Sequence, residues 1–156
     1  MHLIIHTDGG ARGNPGQAAV GVVIEKVHSS SFTVHGNKEI VSQFGKRIGE
    51  TTNNIAEYSA VVEALHFITQ NLKSKMQKEE TLTVEFFLDS TLVVNQLNGL
   101  FKVKDVKLRE LLFKVRELEQ ETGGNIQYQV IPREQNSRAD NFVNKALDDY
   151  PHVSYR

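Results

Sequence analysis

The first third of the chain carries short runs of alternating or continuous apolar residues, a pattern typical of β-strands. The runs cover residues 2–8, 18–27, 31–36 and 39–48. The second run, AAVGVVIEKV, is rich in β-branched residues, which favour strands. Gly36 and Asn37 lie between the last two runs and are typical of a hairpin turn. We therefore predict an antiparallel meander for this part of the chain.

From residue 53 onward the spacing of apolar residues changes to the helical period. The pattern predicts helices over residues 53–72, 90–99, 106–124 and 136–150, and strands over residues 82–89 and 126–132. Ser90 is the expected cap of the second helix, while Gly99 and Gly123 are expected to end the second and third. The element order predicts a mixed sheet with helices packed against it.

Composition narrows the functional classes. A length of 156 residues predicts one domain over 1–156, with a C-terminal tail from about residue 149. The net charge of −1 argues against a global basic field. The lack of cysteine excludes disulfides, thiolate zinc sites and cysteine nucleophiles, and it fits a cytoplasmic location. No apolar run is long enough to predict a membrane span.

Four acidic residues stand out by their positions. Asp8 and Asp89 each end a predicted strand, Glu57 lies in the first turns of the long helix, and Asp140 lies near the start of the last helix. If the two strands are parallel neighbours, Asp8 and Asp89 project from the same edge of the sheet, where ligands gather in α/β proteins. Oxygen ligands without cysteine favour Mg²⁺ or Mn²⁺ over Zn²⁺.

Each of these residues also has a plain structural interpretation. An aspartate at a strand end is commonly a turn residue. Glu57 lies three residues after Asn54, a spacing that fits a capping box. Asp140 would also interact favourably with the dipole of its helix. Residue chemistry alone therefore makes only a modest case for a metal site.

Four sequence blocks occur in a characteristic order: TDGGARGNPG, TTNNIAEYSAVVEAL, FLDSTLVVNQLNG and REQNSRADNFVNKAL. Together they closely resemble type 1 ribonuclease H from about residue 3 to residue 148. The resemblance implies an α/β ribonuclease H-like fold, whose five-stranded mixed sheet has its first three strands antiparallel and helices on both faces. Residues 39–48 then match the third strand, and residues 31–36 belong to an extended second strand or its hairpin.

The resemblance also implies a chemistry. The metal-binding carboxylates of the family match Asp8, Glu57, Asp89 and Asp140, which would hold two Mg²⁺ or Mn²⁺ ions. The implied reaction is hydrolysis of the RNA strand of an RNA–DNA hybrid, leaving 5′-phosphate and 3′-hydroxyl ends. All four carboxylates are present, which argues against an inactive relative.

The family's substrate contacts match residues of the first two blocks. Backbone groups of Gly9, Gly10 and Gly13 and the side chain of Asn14 match contacts to the RNA strand. The side chains matching contacts to the DNA strand and bases are Thr52, Asn53 and Asn54. The alternatives are a plain hairpin loop for the glycine-rich stretch and an ordinary helix N-terminus for the later trio. Both interpretations of the trio hold together if one residue caps the helix and its neighbours face outward.

Three departures from the family pattern modify these expectations. The segment before Asp140 contains no histidine, and Arg133 takes the nearest place, as in a subgroup of the family. Arginine cannot serve as a general base, so we expect Arg133 to stabilise the scissile phosphate or to assist product release.

The basic protrusion of many members is also missing. Lys102 and Lys104 supply some positive charge there, so we expect weaker, salt-sensitive hybrid binding. The third departure is the start of the chain at strand 1, without an extra N-terminal hybrid-binding domain, which predicts non-processive cutting.

Two other classes remain as alternatives. One is a non-catalytic nucleic-acid binding module, which would gain nothing from crowding four carboxylates against phosphates. The other is a different metal nuclease of the same fold, such as an integrase or a junction resolvase. The TTNN block and the glycine-rich turn favour ribonuclease H. We expect a monomer that needs no obligate protein partner and no membrane.

Overall fold

The computed structural model describes residues 1–28 and 37–149. Within these residues the strands are β1 (His2–Gly13), β2 (Gly16–His28), β3 (Asn37–Thr51), β4 (Thr83–Leu88) and β5 (Asn125–Val130). They form one sheet in the order β3-β2-β1-β4-β5. β2 pairs antiparallel with β1 and β3, whereas β4 pairs parallel with β1 and β5. The predicted mixed sheet is confirmed, while the predicted run over 31–36 lies outside the described residues.

The helices are α1 (Asn53–Phe67), α2 (Thr91–Leu97), α3 (Val106–Thr122) and α4 (Ser137–Asp148). α1 continues into a π-helical turn at Ile68–Leu72, so the predicted helix over 53–72 changes its hydrogen-bond pattern near its end. Ser90 caps α2 as predicted, because its hydroxyl accepts the Val93 N–H at 3.2 Å. Gly123 ends α3 with a φ of 68°, a conformation that favours glycine. The predicted tail lies outside the described residues except for Asp149, which ends α4.

β1 is longer than the predicted strand over residues 2–8. It continues through Gly13 and stays paired with β2 from Leu3↔Lys26 to Gly13↔Gly16, so the glycine-rich stretch is strand and the turn is confined to Asn14 and Pro15. Asp8 therefore lies inside β1, and the prediction that it ends the strand is wrong. The glycines look like a loop in the sequence because they lack the side chains on which a strand pattern depends.

Glycines also let helices approach both faces of the sheet. A Cβ on Gly9 would lie 2.1 Å from the carbonyl carbon of Ala56 in α1. On the other face, a Cβ on Gly21 would lie 2.0 Å from the carbonyl oxygen of Ala139 in α4. Because such distances leave no room for a side chain, these positions require glycine for α1 and α4 to pack where they do.

The main core lies between the sheet and the helices α1 and α3. It contains fully buried side chains from several elements, among them Ile5, Tyr58, Leu65 and Phe86. The buried Tyr58 hydroxyl donates to Gln96 Oε1 at 2.8 Å, so this polar group of the core is satisfied. Among the described residues, no helix combines the length and the apolar character that crossing a bilayer requires.

Candidate active site

The parallel pairing of β1 with β4 brings two aspartates together. The last paired residues of these strands are His6 and Phe87, whose rings stack at 5.3 Å between centroids. Asp8 and Asp89 each lie two residues beyond that pair. The strands separate there, and the two aspartates lie near each other at the carboxyl edge of β4, as the parallel arrangement predicts.

Glu57 of α1 completes a group of three carboxylates. One oxygen from each of Asp8, Glu57 and Asp89 lies within 4.8 Å of the others. Gly9 makes this possible, since α1 packs so closely on β1 that a Cβ at Gly9 would lie 2.4 Å from the Glu57 nitrogen. Among the described residues, Glu57 Oε2 is buried without a hydrogen-bond partner.

The electrostatics of this group show how unfavourable three close carboxylates are. Burial, with a further contribution from the charge of Asp89, raises the pKa of Asp8 to about 7. Burial and the charge of Asp8 raise the pKa of Glu57 well above its usual value, although a hydrogen bond from the Gly9 backbone opposes this shift. Clustered oxygen ligands and an unpartnered buried carboxylate oxygen fit a hard divalent cation such as Mg²⁺ or Mn²⁺, which would neutralise the repulsion.

Asp140 lies at the edge of the group of three rather than within it. It sits in the first turn of α4, which the contact of Gly21 with Ala139 holds against β2. Its carboxylate is close enough to Asp8 to raise the pKa of that residue further by hydrogen bonding and charge. Asn144, one turn later, donates from Nδ2 to Asp140 Oδ2 at 3.3 Å. The fourth predicted carboxylate thus reaches the same site from the face of the sheet that carries α4, whereas Glu57 reaches it from the face that carries α1.

A cavity of about 420 Å³ surrounds the carboxylates. The predicted residues that line it are Asp8, Gly9, Gly10, Asn53, Asn54, Glu57, Asp89, Arg133 and Asp140. Lys102 and Lys104 do not line it, and both are exposed in the segment between α2 and α3. The exposed Arg12 also lines it and forms an ion pair with Asp148 at 2.6 Å, a feature that the sequence did not single out.

The β1–β2 turn and the start of α1 are joined by two asparagines. The Ala11 N–H donates to Asn53 Oδ1 at 2.8 Å, and the Asn53 N–H donates to Asn14 Oδ1 at 3.0 Å. Asn14, Asn53 and Asn54 also line a second cavity of about 1080 Å³ beside the first. The two cavities share Asn53 and Asn54, so they form a continuous surface that leads away from the carboxylates.

Thr52 is the residue that caps α1. Its hydroxyl accepts the Ile55 N–H at 3.3 Å, and it also lines the second cavity. The capping box between Asn54 and Glu57 is therefore not formed, because the cap is Thr52 and the Glu57 carboxylate turns toward Asp8. One member of the trio caps the helix while its two neighbours line the first cavity.

Asn136 is the site residue that sequence reasoning missed. It is 1% exposed and donates from Nδ2 to Asp89 Oδ2 at 3.0 Å and to the Thr7 carbonyl oxygen at 2.9 Å. In the sequence it is an asparagine at the start of a predicted helix, a position that normally indicates a cap. No pattern in the chain distinguishes it from a capping residue, since its partners are 47 and 129 residues away.

The chain is similar to several known proteins. The sequence profile of the family described as reverse transcriptase-like matches residues 6–146. The protein named ribonuclease HI of Halobacterium salinarum is 38% identical over 144 residues, which are 91% of this chain and 62% of that protein. The bifunctional protein Rv2228c of Mycobacterium tuberculosis is 32% identical over 95% of this chain. The chain spans only 36% of the length of that relative.

Solved structures that resemble this chain are also ribonucleases H. The RNase H1 of Halobacterium salinarum superposes with a TM-score of 0.79 at 36% identity, covering 96% of this chain and 99% of that one. The LC11-RNase H1, isolated from compost and solved in complex with an RNA/DNA hybrid, superposes with a TM-score of 0.78 at 41% identity, covering 94% and 96%. The resemblance found in the four sequence blocks is confirmed, and the chain belongs to the reverse transcriptase-like family, within the group of type 1 ribonucleases H.

Proposed function

We propose that the protein hydrolyses the RNA strand of RNA–DNA hybrids with the help of two divalent ions, leaving 5′-phosphate and 3′-hydroxyl ends. The observation that carries this proposal is the convergence of Asp8, Glu57 and Asp89, from three separate elements, within 4.8 Å. The hybrid bound in the LC11-RNase H1 structure, at 41% identity, supports the choice of substrate.

Asp8, Glu57 and Asp89, joined by Asp140, are the residues that would hold Mg²⁺ or Mn²⁺. When bound, such ions lower the pKa of water and stabilise the negative charge that develops as the phosphodiester is cleaved. The close packing of α1 and α4 on the two faces of the sheet brings the elements that carry these carboxylates together. Gly9 and Gly10 both line the cavity, and the half-buried Gly10 adds a stretch of backbone without a side chain, which would allow a phosphate backbone to approach closely.

We assign substrate recognition to the continuous surface that lines the two cavities. The amide oxygens of Asn14 and Asn53 are held by backbone N–H groups, so their NH₂ groups are oriented to donate to nucleic-acid acceptors. Backbone groups from Gly9 to Gly13 would read the 2′-hydroxyls of the RNA strand across the shallow minor groove. Thr52 and Asn54 extend the surface toward the DNA strand, and Lys102 and Lys104 supply charge beyond it.

Cleavage of strand-labelled substrates tests the proposal. In Mg²⁺ the RNA strand of a hybrid should be cut internally to 5′-phosphate and 3′-hydroxyl products, and EDTA should stop the reaction. The DNA strand of the hybrid and a DNA duplex of the same sequence should stay intact. Binding of the hybrid without any cleavage would instead identify a binding module, and cleavage of the DNA duplex would indicate another nuclease class.

We propose that the active species is a monomeric, cytoplasmic protein, for which the cysteine-free sequence is the supporting observation on location.

Replacing Arg133 with alanine is expected to reduce turnover by about tenfold and to leave the unfolding temperature unchanged. Arg133 is exposed in the 3-10 turn Arg133–Gln135, and it lines the cavity without belonging to the core. A charge-assisted contact to phosphate is worth roughly 1.5–3 kcal/mol, which corresponds to at least a tenfold change in rate. Steady-state kinetics on a labelled hybrid measures this, with Arg133→Lys as the variant that retains the charge. Full turnover by Arg133→Ala would remove the assigned role.

A further inference from the structure

Asn136 occupies a position between the elements that carry the carboxylates. It follows the 3-10 turn Arg133–Gln135 and precedes α4. Its side chain donates to the carbonyl oxygen of Thr7, the residue before Asp8, and to the carboxylate of Asp89. Its own carbonyl oxygen accepts the N–H of Asp140 at 3.1 Å. One residue thus contacts Asp89 and Asp140 directly and the backbone adjoining Asp8.

The side chain does not serve the function usual for an asparagine at this position. α4 has no side-chain cap, because the Asn136 amide is turned away from the free N–H groups of the helix and toward β1 and Asp89. The other half of the amide is unsatisfied, since Asn136 Oδ1 is buried without a hydrogen-bond partner among the described residues. A buried amide with an unpaired oxygen costs free energy, because that oxygen has lost its hydrogen bonds to water. The two hydrogen bonds that the NH₂ group donates are therefore the contacts that explain an asparagine at this position.

We propose that Asn136 is a positioning residue that sets the orientation of the Asp89 carboxylate for cation binding. Donation to Oδ2 restrains rotation of that carboxylate and leaves Oδ1 available to an ion. The second bond, to Thr7, ties this restraint to the strand that carries Asp8, so the distance between the two aspartates is held as well. This inference rests on the proposed function, because it assumes that the carboxylates hold divalent ions. Partners that orient a ligating side chain in this way typically change metal affinity by 10- to 100-fold when removed.

A purely structural role is the alternative, and the chain offers a matched control for it. Asn98 also donates from Nδ2 to a backbone carbonyl of another element, that of Tyr128, at 3.1 Å. It ends α2, contacts no carboxylate of the cluster and does not line the cavity. Its replacement removes a bridge between elements, at an exposed position, and leaves the cluster untouched.

The test is Mn²⁺ binding to the hybrid-free protein, measured by titration calorimetry for wild type, Asn136→Ala, Asn136→Asp, Asn98→Ala and Asp89→Asn. We expect Asn136→Ala to bind Mn²⁺ about tenfold more weakly. Asn136→Asp keeps the shape but places a further charge near Asp89, and it should alter the affinity by at least as much. Asn98→Ala should lower the unfolding temperature but bind Mn²⁺ as wild type does. In hybrid cleavage, Asn136→Ala should need about ten times more Mn²⁺ for half-maximal turnover, with a KM for hybrid within twofold of wild type.

The results of these measurements distinguish the positioning role of Asn136 from the proposed metal site. Mn²⁺ affinities of both Asn136 variants within twofold of Asn98→Ala would overturn the positioning role and leave the proposed function standing, provided that Asp89→Asn binds weakly. Wild-type affinity in Asp89→Asn, or no binding by wild type, would refute the proposed metal site and this inference with it. If both Asn136 variants are unfolded even at saturating Mn²⁺, the residue is a structural bridge and the proposal fails.

Discussion

Glu57→Gln is expected to reduce hybrid cleavage by about 10³-fold or more, which corresponds to roughly 4 kcal/mol of lost transition-state stabilisation. Glutamine has nearly the same shape, so the packing of α1 on β1 should survive. It removes one of the three converging negative charges and turns an NH₂ donor toward the place where a cation would lie.

Glu63→Gln is the matched control for this variant. Glu63 lies on the same helix and forms an ion pair with the exposed Lys46 at 2.9 Å, and it does not line the cavity. Its replacement should change turnover by less than twofold, because exposed ion pairs contribute little. Single-turnover kinetics with excess enzyme would measure both variants. Equal cleavage by wild type and Glu57→Gln would show that the hydrolysis does not depend on the carboxylate cluster.

Asp8→Asn is expected to stabilise the ion-free protein at pH 8 by about 2–4 kcal/mol, although it should abolish cleavage. Burial and the neighbouring Asp89 raise the pKa of Asp8 from 3.8 to about 7 in the folded protein. A raised pKa means that the folded state holds this proton more tightly than the unfolded state does. Wild type therefore loses stability as the pH rises from about 4 through 7, whereas asparagine carries no charge and escapes the loss.

Thermal unfolding in EDTA at pH 5.5 and pH 8.5 measures this effect. At pH 8.5 the unfolding temperature of Asp8→Asn should exceed that of wild type by roughly 5–10 °C, and the gap should narrow at pH 5.5. Saturating Mg²⁺ should raise the unfolding temperature of wild type more than that of the variant, because ions relieve the same repulsion. Glu110→Gln, at an exposed position on α3, controls for the general loss of a negative charge. A lower unfolding temperature for Asp8→Asn at pH 8.5 would contradict the assigned electrostatics.

Much of the architecture could be predicted from the sequence because it is encoded locally. Alternation and helical spacing record which face of each element is buried, so the strands and helices of the described part of the chain appear near their predicted positions. Caps are equally local, as Ser90 and Gly123 show, since each acts within three or four residues of itself. The four sequence blocks also identified the family and its acidic residues, because each block keeps its chemistry within a short span.

Distances between elements were decided only by the tertiary structure. The sequence alone determined that Asp8, Glu57, Asp89 and Asp140 are present, but their separation depends on how closely helices approach the sheet, which Gly9 and Gly21 control. Gly9, Gly10 and Gly13 also hid the second half of β1, since a residue without a side chain leaves no alternating pattern. The role of Asn136 was equally invisible, because it depends on contacts with Thr7 and Asp89, far away in the chain. Local periodicity encodes which surface is buried, whereas the geometry of a site depends on which distant surfaces meet.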